Sequence, residues 1–205
     1  MDNAYESLSE IQLDTLREIS NIGMGNAATA LSQLVGSMVN ITVPNAMIVD
    51  MTEVAPLLGG EDQEVAASYV QVVGQARGHL VLVLAIPDAH RIIELMAPGA
   101  HFDLMKDDMA RSAMQEIGNI LGSSFLRSLS DLTQLNILPT VPAVAVDFAG
   151  SIVSYVVSSL YSVTEKLVVV RTNFDVGGES IAGYCMFIPE PGSLRIILES
   201  LGMGG

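Results

Sequence analysis

The chain has 205 residues, half of them hydrophobic, and a formal net charge of −14 at pH 7. This composition supplies the core of one domain or two small ones, and the acidic charge disfavours binding to nucleic-acid phosphates. No apolar run approaches the roughly 20 residues that a membrane span needs, the N-terminus has no secretory-signal pattern, and the single cysteine, Cys185, fits a reducing cytoplasm.

The first half of the chain is predicted to be a long helix followed by strands and a short helix. Ser9 is placed to cap the long helix, Gly36 to end it, and Gly23 and Gly25 to interrupt it where another element packs closely. The predicted elements are helix 7–35, strand 39–49 with a break at Pro44, a turn-rich loop at 56–62, strands 65–75 and 79–86, and helix 88–96 closing at Pro98-Gly99.

The second half repeats this order of elements. Its least determined segment is 152–161, which is compatible with a helix or a strand. The predicted elements are a long helix from 107 or 108 to about 131, strand 137–146 containing Pro142, strands 166–174 and 183–188 around a Gly177-Gly178 turn, and helix 190–201.

The two long helices carry the same sequence pattern at a fixed spacing. Residues 14–26 read DTLREISNIGMGN and residues 112–124 read SAMQEIGNILGSS. Aligning Glu18 with Glu116 gives a shift of 116 − 18 = 98 residues, which also takes Val43-Pro44 to Val141-Pro142. A constant offset over some thirty positions indicates an internal duplication.

The duplication and the tight turns between strands predict the fold class. Strands joined by tight turns pair antiparallel, and neither half covers both faces of its strands alone. We therefore expect a single α+β domain over residues 1–205, with repeat halves at about 7–100 and 105–205. It should have pseudo-two-fold symmetry, antiparallel β-strands covered by helices, and two long motif helices.

Each long helix has a polar stripe opposite an apolar back. At about 100° per residue, the polar positions of the first helix fall within about 60° of one another, and the apolar positions lie opposite. The polar positions are Asp14, Glu18 and Asn21 in the first copy and Ser112, Glu116 and Asn119 in the second; the apolar positions are Leu16, Ile19, Ala27, Ala30 and Leu34, then Met114, Ile117, Leu121, Phe125 and Leu132.

The stripe can be read in two ways. It can be an ordinary solvated helix face, preserved since the duplication. Alternatively, it is a site, because asparagine is a mediocre helix former and a solvated face does not require Glu-x-x-Asn twice. An asparagine amide has donors and an acceptor at one end and can fix both the position and the orientation of a water molecule. Such an arrangement suits phosphoryl hydrolysis, where positioning and charge placement supply most of the catalysis.

Other catalytic arrangements find little support in the sequence. No serine has a histidine partner at a characteristic spacing, and Gly-x-Ser-x-Gly is missing. His79, His90 and His101 are eleven residues apart, whereas metal ligands usually have shorter local spacings. We therefore expect no metal or cofactor site in this chain.

The doubled (Asp/Ser)-x-x-x-Glu-x-x-Asn helix, with NIGMGNAATAL in the first copy and Ile188-Pro189 near the end, resembles the CheC/CheX/FliY family of chemotaxis phosphatases, and its CheC branch most. The resemblance covers essentially the whole chain. It implies hydrolysis of the aspartyl phosphate of the response regulator CheY. It assigns Asn21 and Asn119 to orienting the attacking water, and Glu18 and Glu116 to pairing with the receiver's lysine.

The same resemblance supplies the remaining expectations. Asp14 and Ser112 occupy the first motif position and would be auxiliary, acting in contact or orientation. Mg²⁺ would belong to the partner receiver domain, and the receptor deamidase CheD would be a second partner. The alternatives are a non-catalytic adaptor that docks CheY or CheD, and a hydrolase that uses its own metal.

Overall fold

The computed structural model describes residues 8–96, 99, 102–159, 166–176 and 179–203. The helices are α1 (Glu10–Val35), α2 (Met51–Leu57), α3 (Ile86–Met96), α4 (Asp108–Thr133), α5 (Ala149–Ser159) and α6 (Pro191–Ser200). The strands are β1 (Val39–Asp50), β2 (Glu64–Gly74), β3 (Gly78–Ala85), β4 (Ile137–Pro139), β5 (Ala143–Phe148), β6 (Lys166–Val176) and β7 (Glu179–Pro189).

The strands form one antiparallel sheet in which the two halves of the chain are interleaved. The strand order is β1–β6–β7–β3–β2–β4, and β5 also pairs with β2. The first strand of each half therefore pairs with a strand of the other half. Asn45 in β1 faces Arg171 in β6, and Ala143, which lies 98 residues after Asn45, faces Tyr69 in β2. The α+β fold with internal duplication, predicted from the sequence, is confirmed.

A proline breaks the outer strand of each half at the same place. The pairing of β1 shifts register between Thr42 and Asn45, on either side of Pro44. In the second half the break is complete, because β4 ends before Pro142 and β5 begins after it. Proline cannot donate to a sheet ladder and is tolerated at edges and bulges. The predicted single strand 137–146 is therefore wrong, and two short strands replace it.

The sheet has a core on each face, and the strand residues alternate between them. In β3, Leu80, Leu82 and Leu84 belong to a core that includes residues of α1, α3, α4 and α6. Val81 and Val83 belong to a second core on the α2 and α5 side. This period-two alternation is expected of a sheet covered on both faces.

The two long helices pack against each other as well as on the sheet. α1 begins at a capping box, in which the side chains of Ser9 and Gln12 bond each other's backbone N–H, and it ends at Gly36 in the left-handed conformation. The helix is continuous through both internal glycines. A Cβ on Gly23 would stand 2.8 Å from the Cα of Phe125 in α4, whereas one on Gly25 would have no atom within 4 Å. Close packing thus explains Gly23 but not Gly25.

Two segments differ from the sequence prediction or go beyond it. The loop expected at 56–62 begins inside α2, which contains Pro56. The described part of the ambiguous segment, residues 152–159, forms most of α5, which starts at Ala149. Both helices are short, so their few apolar residues do not establish a helical period. The Gly177-Gly178 turn, Pro98, His101 and the predicted helix start at residue 7 lie outside the described residues.

None of the helices in the described part of the chain has both the length and the apolar character required to cross a membrane.

Candidate functional site

The predicted polar stripes lie on the accessible sides of α1 and α4. Glu18, Glu116 and Asn119 are exposed and Asn21 is half-buried. The first motif positions, Asp14 and Ser112, are exposed as well. The stripes therefore present a carboxylate and a carboxamide one helical turn apart, twice in the molecule.

The apolar backs hold these helices in place. Leu16 and Ile19 are 3% and 2% exposed behind the first stripe, and Met114 and Ile117 are fully buried behind the second. The remaining predicted back positions are buried at Ala27, Leu121 and Phe125 and partly buried at Ala30, whereas Leu34 and Leu132 are exposed. These two leucines lie in the last turn of each helix, so the predicted back extends one turn too far.

In the first copy, the motif asparagine is bonded to its own chain. The Oδ1 atom of Asn21 accepts a hydrogen bond from the backbone N–H of Val43 at 3.0 Å. Asp14 pairs with Arg17 at 3.2 Å, and both side chains are substantially exposed. Glu18 forms no hydrogen bond or ion pair with the described residues. The carboxylate is therefore open to a partner, whereas the amide oxygen is already engaged.

In the second copy, the motif asparagine is nearly free. Its Oδ1 atom accepts from the hydroxyl of Ser123 at 3.4 Å, one turn away on the same helix. The neighbouring loop is held elsewhere, because the Gln115 amide donates to the backbone carbonyl of Pro142 at 2.9 Å. Val141, which corresponds to Val43, is 80% exposed, whereas Val43 is 4% exposed. The two copies thus share their motif but differ in the loop beside it.

Two ionisable groups with shifted pKa values lie on strands of the sheet and not on the motif helices, His79 on β3 and Cys185 on β7. Burial raises the pKa of the Cys185 thiol to about 12. Burial also lowers the pKa of His79, against a smaller opposing effect of Glu190. The His79 Nδ1 atom lies 2.6 Å from the Tyr69 hydroxyl. Neither group adjoins a motif residue, so we assign them no role in the chemistry.

Side chains that could bind a metal are dispersed over the described part of the chain. Across the described ranges, no three or more His, Cys, Asp or Glu side chains are grouped so that they could hold a metal ion. His79 lies on β3 and His90 on α3, and His101 is outside the described residues.

Sequence reasoning placed the six motif residues on the accessible sides of the two long helices, as the structure shows, but missed the loop that distinguishes their surroundings. The repeated Val-Pro pair marked the position of that loop. The sequence did contain a signal for Gln115, because the equivalent residue 98 positions earlier is Arg17. The hydrogen-bond donor next to the motif is therefore an amide in one copy and a guanidinium in the other.

Comparison with known proteins identifies the same repeated unit. The model of the CheC-like family matches residues 11–48 and 109–146, two stretches whose starts differ by 109 − 11 = 98 residues. The chain is 32% identical over 203 residues to the CheY-P phosphatase CheC of Bacillus subtilis, covering 97% of each protein.

Two solved structures share the fold. Thermotoga maritima FliY superposes with a TM-score of 0.76 at 24% identity, covering 97% of this chain and 99% of that one. The CheX–CheY–BeF3–Mg²⁺ complex of Borrelia burgdorferi matches with a TM-score of 0.53 at 15% identity, covering 81% of this chain and 94% of that one.

Proposed function

The chain belongs to the CheC-like family, and we propose that it hydrolyses the aspartyl phosphate of a phosphorylated CheY-type response regulator at two sites. Phosphatase activity is supported by the identity of 32% over nearly the whole length to a CheY-P phosphatase. The observation that carries the residue assignment is the Glu-x-x-Asn pair on the accessible side of a firmly packed helix, present once in each half, with three of the four side chains exposed and Asn21 half-buried.

The pair suits a reaction in which the partner brings most of the reactive groups. An acyl phosphate is already activated, so hydrolysis requires a water molecule held in line with the phosphorus and a stabilised transition-state charge. Positioning of this kind is worth several orders of magnitude in rate when the reacting atoms are held near attack distance. The buried backs of α1 and α4 supply the rigidity that such positioning needs.

We assign the water to the asparagines. The amide of Asn21 or Asn119 would enter the receiver's active site. Its oxygen would accept a hydrogen bond from the water, and its NH₂ group would be available to donate to the phosphoryl oxygens. Because an amide does not take up a proton at neutral pH, it acts by orientation and not as a base.

We assign contact with the receiver's lysine to the glutamates. Glu18 and Glu116 are exposed on the same helical stripe as the asparagines. A carboxylate that meets a lysine across an interface affects partner choice and association rate, and it loses influence as salt increases. Asp14 and Ser112, one turn earlier, would contact the receiver without taking part in the reaction.

The metal would come with the partner. Mg²⁺ is named in the CheX–CheY complex that shares this fold, and we expect it in the receiver that this chain meets. In its described residues this chain does not group the side chains that a metal would need. We also propose CheD as a second partner, a role supported by the sequence resemblance alone.

The test is the double variant Asn21→Ala/Asn119→Ala, assayed for phosphate release from phosphorylated CheY with catalytic amounts of the chain. Losing one positioned polar group costs on the order of 10²–10³ in rate, so we expect the double variant to be almost inactive while still binding phosphorylated CheY. Gln33→Ala provides a matched control, because Gln33 is an exposed amide on α1 away from the stripe.

The same assay separates the alternatives. A double variant with near wild-type turnover would contradict the assignment of the asparagines. An adaptor without catalytic activity would need a stoichiometric amount of chain for any effect, and docking does not require the amide. A hydrolase with its own metal would release phosphate from a small phosphate ester in the absence of a receiver.

A further inference from the structure

The two copies of the motif are not equivalent, and the difference extends the proposed function, on which this inference rests. We propose that the second copy, Glu116 and Asn119, carries most of the turnover. In this proposal the first copy is restrained because the N–H of Val43 occupies the oxygen of Asn21. In the second copy Gln115 acts as a positioning residue that holds the loop away, so that the oxygen of Asn119 meets the rotatable hydroxyl of Ser123 at 3.4 Å and not a backbone N–H.

The restraint on the first copy begins in the edge strand. Between Thr42 and Asn45 the pairing of β1 with β6 shifts register at Pro44, so the N–H of Val43 is not used by the sheet ladder. It donates to Asn21 at 3.0 Å. Since a backbone N–H can only donate, the atom that faces it is the amide oxygen and not the NH₂ group.

This bond takes up one of the two lone pairs of the oxygen that the reaction requires as an acceptor. An attacking water molecule points a lone pair at the phosphorus, so its O–H groups point away and need a hydrogen-bond acceptor. In the first copy, Asn21 must release the N–H or share its oxygen. Val43 is 4% exposed, so the donor cannot move away without bringing an apolar side chain out of the core.

The corresponding donor in the second copy is held away from the motif. The N–H of Thr140 donates to the carbonyl of Gln71 at 2.9 Å, and the hydroxyl of Thr140 accepts from the N–H of Gln71 at 3.1 Å. The Gln115 amide holds the carbonyl of Pro142 at 2.9 Å. With both ends fixed, Val141 faces solvent and its N–H forms no bond with Asn119.

The residue beside the motif accounts for the different loops. Position 17, which corresponds to Gln115, is an arginine whose guanidinium pairs with Asp14 at 3.2 Å. The second copy has Ser112 in place of Asp14, so no carboxylate competes there for the side chain at 115. Gln115 is therefore available to hold the loop.

The decisive experiment compares the two single variants with the double variant. The net contribution of one amide–carbonyl hydrogen bond corresponds to about a fivefold change in rate. We therefore expect Asn119→Ala to retain about one sixth of the phosphate release from phosphorylated CheY and Asn21→Ala about five sixths. Equal losses, or a larger loss from Asn21→Ala, would overturn the proposal, whereas a double variant that remains active would overturn the proposed function.

Gln115 is tested in the Asn21→Ala background, where only the second site remains. Gln115→Ala should lower kcat about fivefold and leave KM unchanged, because the receiver still docks while Asn119 loses its open loop. The lost hydrogen bond should lower the melting temperature by no more than about 2–4 °C, so the chain stays folded at the assay temperature. Gln33→Ala in the same background is the control and should leave all three unchanged. A Gln115→Ala variant with wild-type kcat, or with losses that follow the melting temperature, would refute the positioning role.

Discussion

The contact between α1 and α4 yields a prediction in which one helix supplies both the perturbation and its control. Gly23 lies two residues after Asn21 and faces the other motif helix. A Cβ at this position would stand 2.8 Å from the Cα of Phe125, 3.3 Å from its N and 3.3 Å from the carbonyl oxygen of Ser124. All three are backbone atoms and cannot rotate away, so Gly23→Ala must push the two helices apart.

The expected magnitude follows from two opposing effects. Overpacking a close contact costs about 1–3 kcal/mol, whereas replacing glycine by alanine inside a helix contributes about 1 kcal/mol of propensity. We expect Gly23→Ala to lose about 1 kcal/mol of unfolding free energy, or about 2–4 °C in Tm for a chain of this size. Gly25→Ala meets no atom within 4 Å and should gain about 1 kcal/mol.

The assay is urea unfolding monitored by circular dichroism, with thermal melts of the same proteins. The two substitutions are chemically identical and two residues apart, so the difference between them isolates the helix contact from the propensity effect. If Gly23→Ala stabilised the protein as much as Gly25→Ala, the close approach of the helices could not be as described. The phosphatase rate of Gly23→Ala should fall as well, because α1 and α4 carry the motifs.

Two further predictions concern charge. In the Asn21→Ala background, Glu116→Gln should raise KM for phosphorylated CheY at low salt, and the two proteins should converge as ionic strength increases; a KM difference independent of salt would contradict a Glu–Lys contact. Burial lowers the pKa of His79 from its ordinary 6.5, so unfolded chains take up this proton first and stability should decrease as pH falls below about 6.5. His79→Gln should weaken that dependence in urea unfolding at pH 7.5 and 5.5, and an unchanged difference would exclude His79 as its source.

Much of the fold was predictable because the two halves of the sequence are repeats, so an element recognised in one half is expected at the equivalent position in the other. The 98-residue shift identified α1 and α4 as equivalent, and Pro44 located the break in the outer strand of the first half. The corresponding break at Pro142 was missed, because residues 137–146 were predicted as one strand. The exchange of β1 and of the β4–β5 segment between the halves was not predictable. Strand pairing between distant segments depends on long-range packing and leaves no local signature.

The short helices α2 and α5 show that hydrophobic periodicity does not predict secondary structure reliably in short segments. α2 has seven residues and contains Pro56, a residue that ordinarily argues against a helix interior. The wide apolar character of 152–161 did not separate a helix from a buried strand. In both cases the decisive influence is the core on that face of the sheet, to which Val54 and Val156 contribute.

The motif positions could be selected from the sequence because the same polar stripe, opposite an apolar back, occurs twice at a fixed spacing. The difference between their surroundings could not be predicted from the sequence, because it depends on the direction of one backbone N–H, that of Val43. Val43 and Val141 are both valines, each is followed by a proline, and they occupy equivalent positions in the two halves. One is buried and the other exposed, and no property of the valine itself could have indicated this.

The position of the difference has a structural reason. A proline in an edge strand releases neighbouring backbone groups from the ladder, and in this fold each released segment runs beside a motif helix. The freed N–H must find an acceptor, because an unpaired buried amide is costly. In the first half the acceptor is the motif asparagine itself, whereas in the second half Gln71 and Gln115 hold the segment instead. In our proposal, two changes on the helix, Arg17 to Gln115 and Asp14 to Ser112 at equivalent positions, distinguish the two copies of the motif.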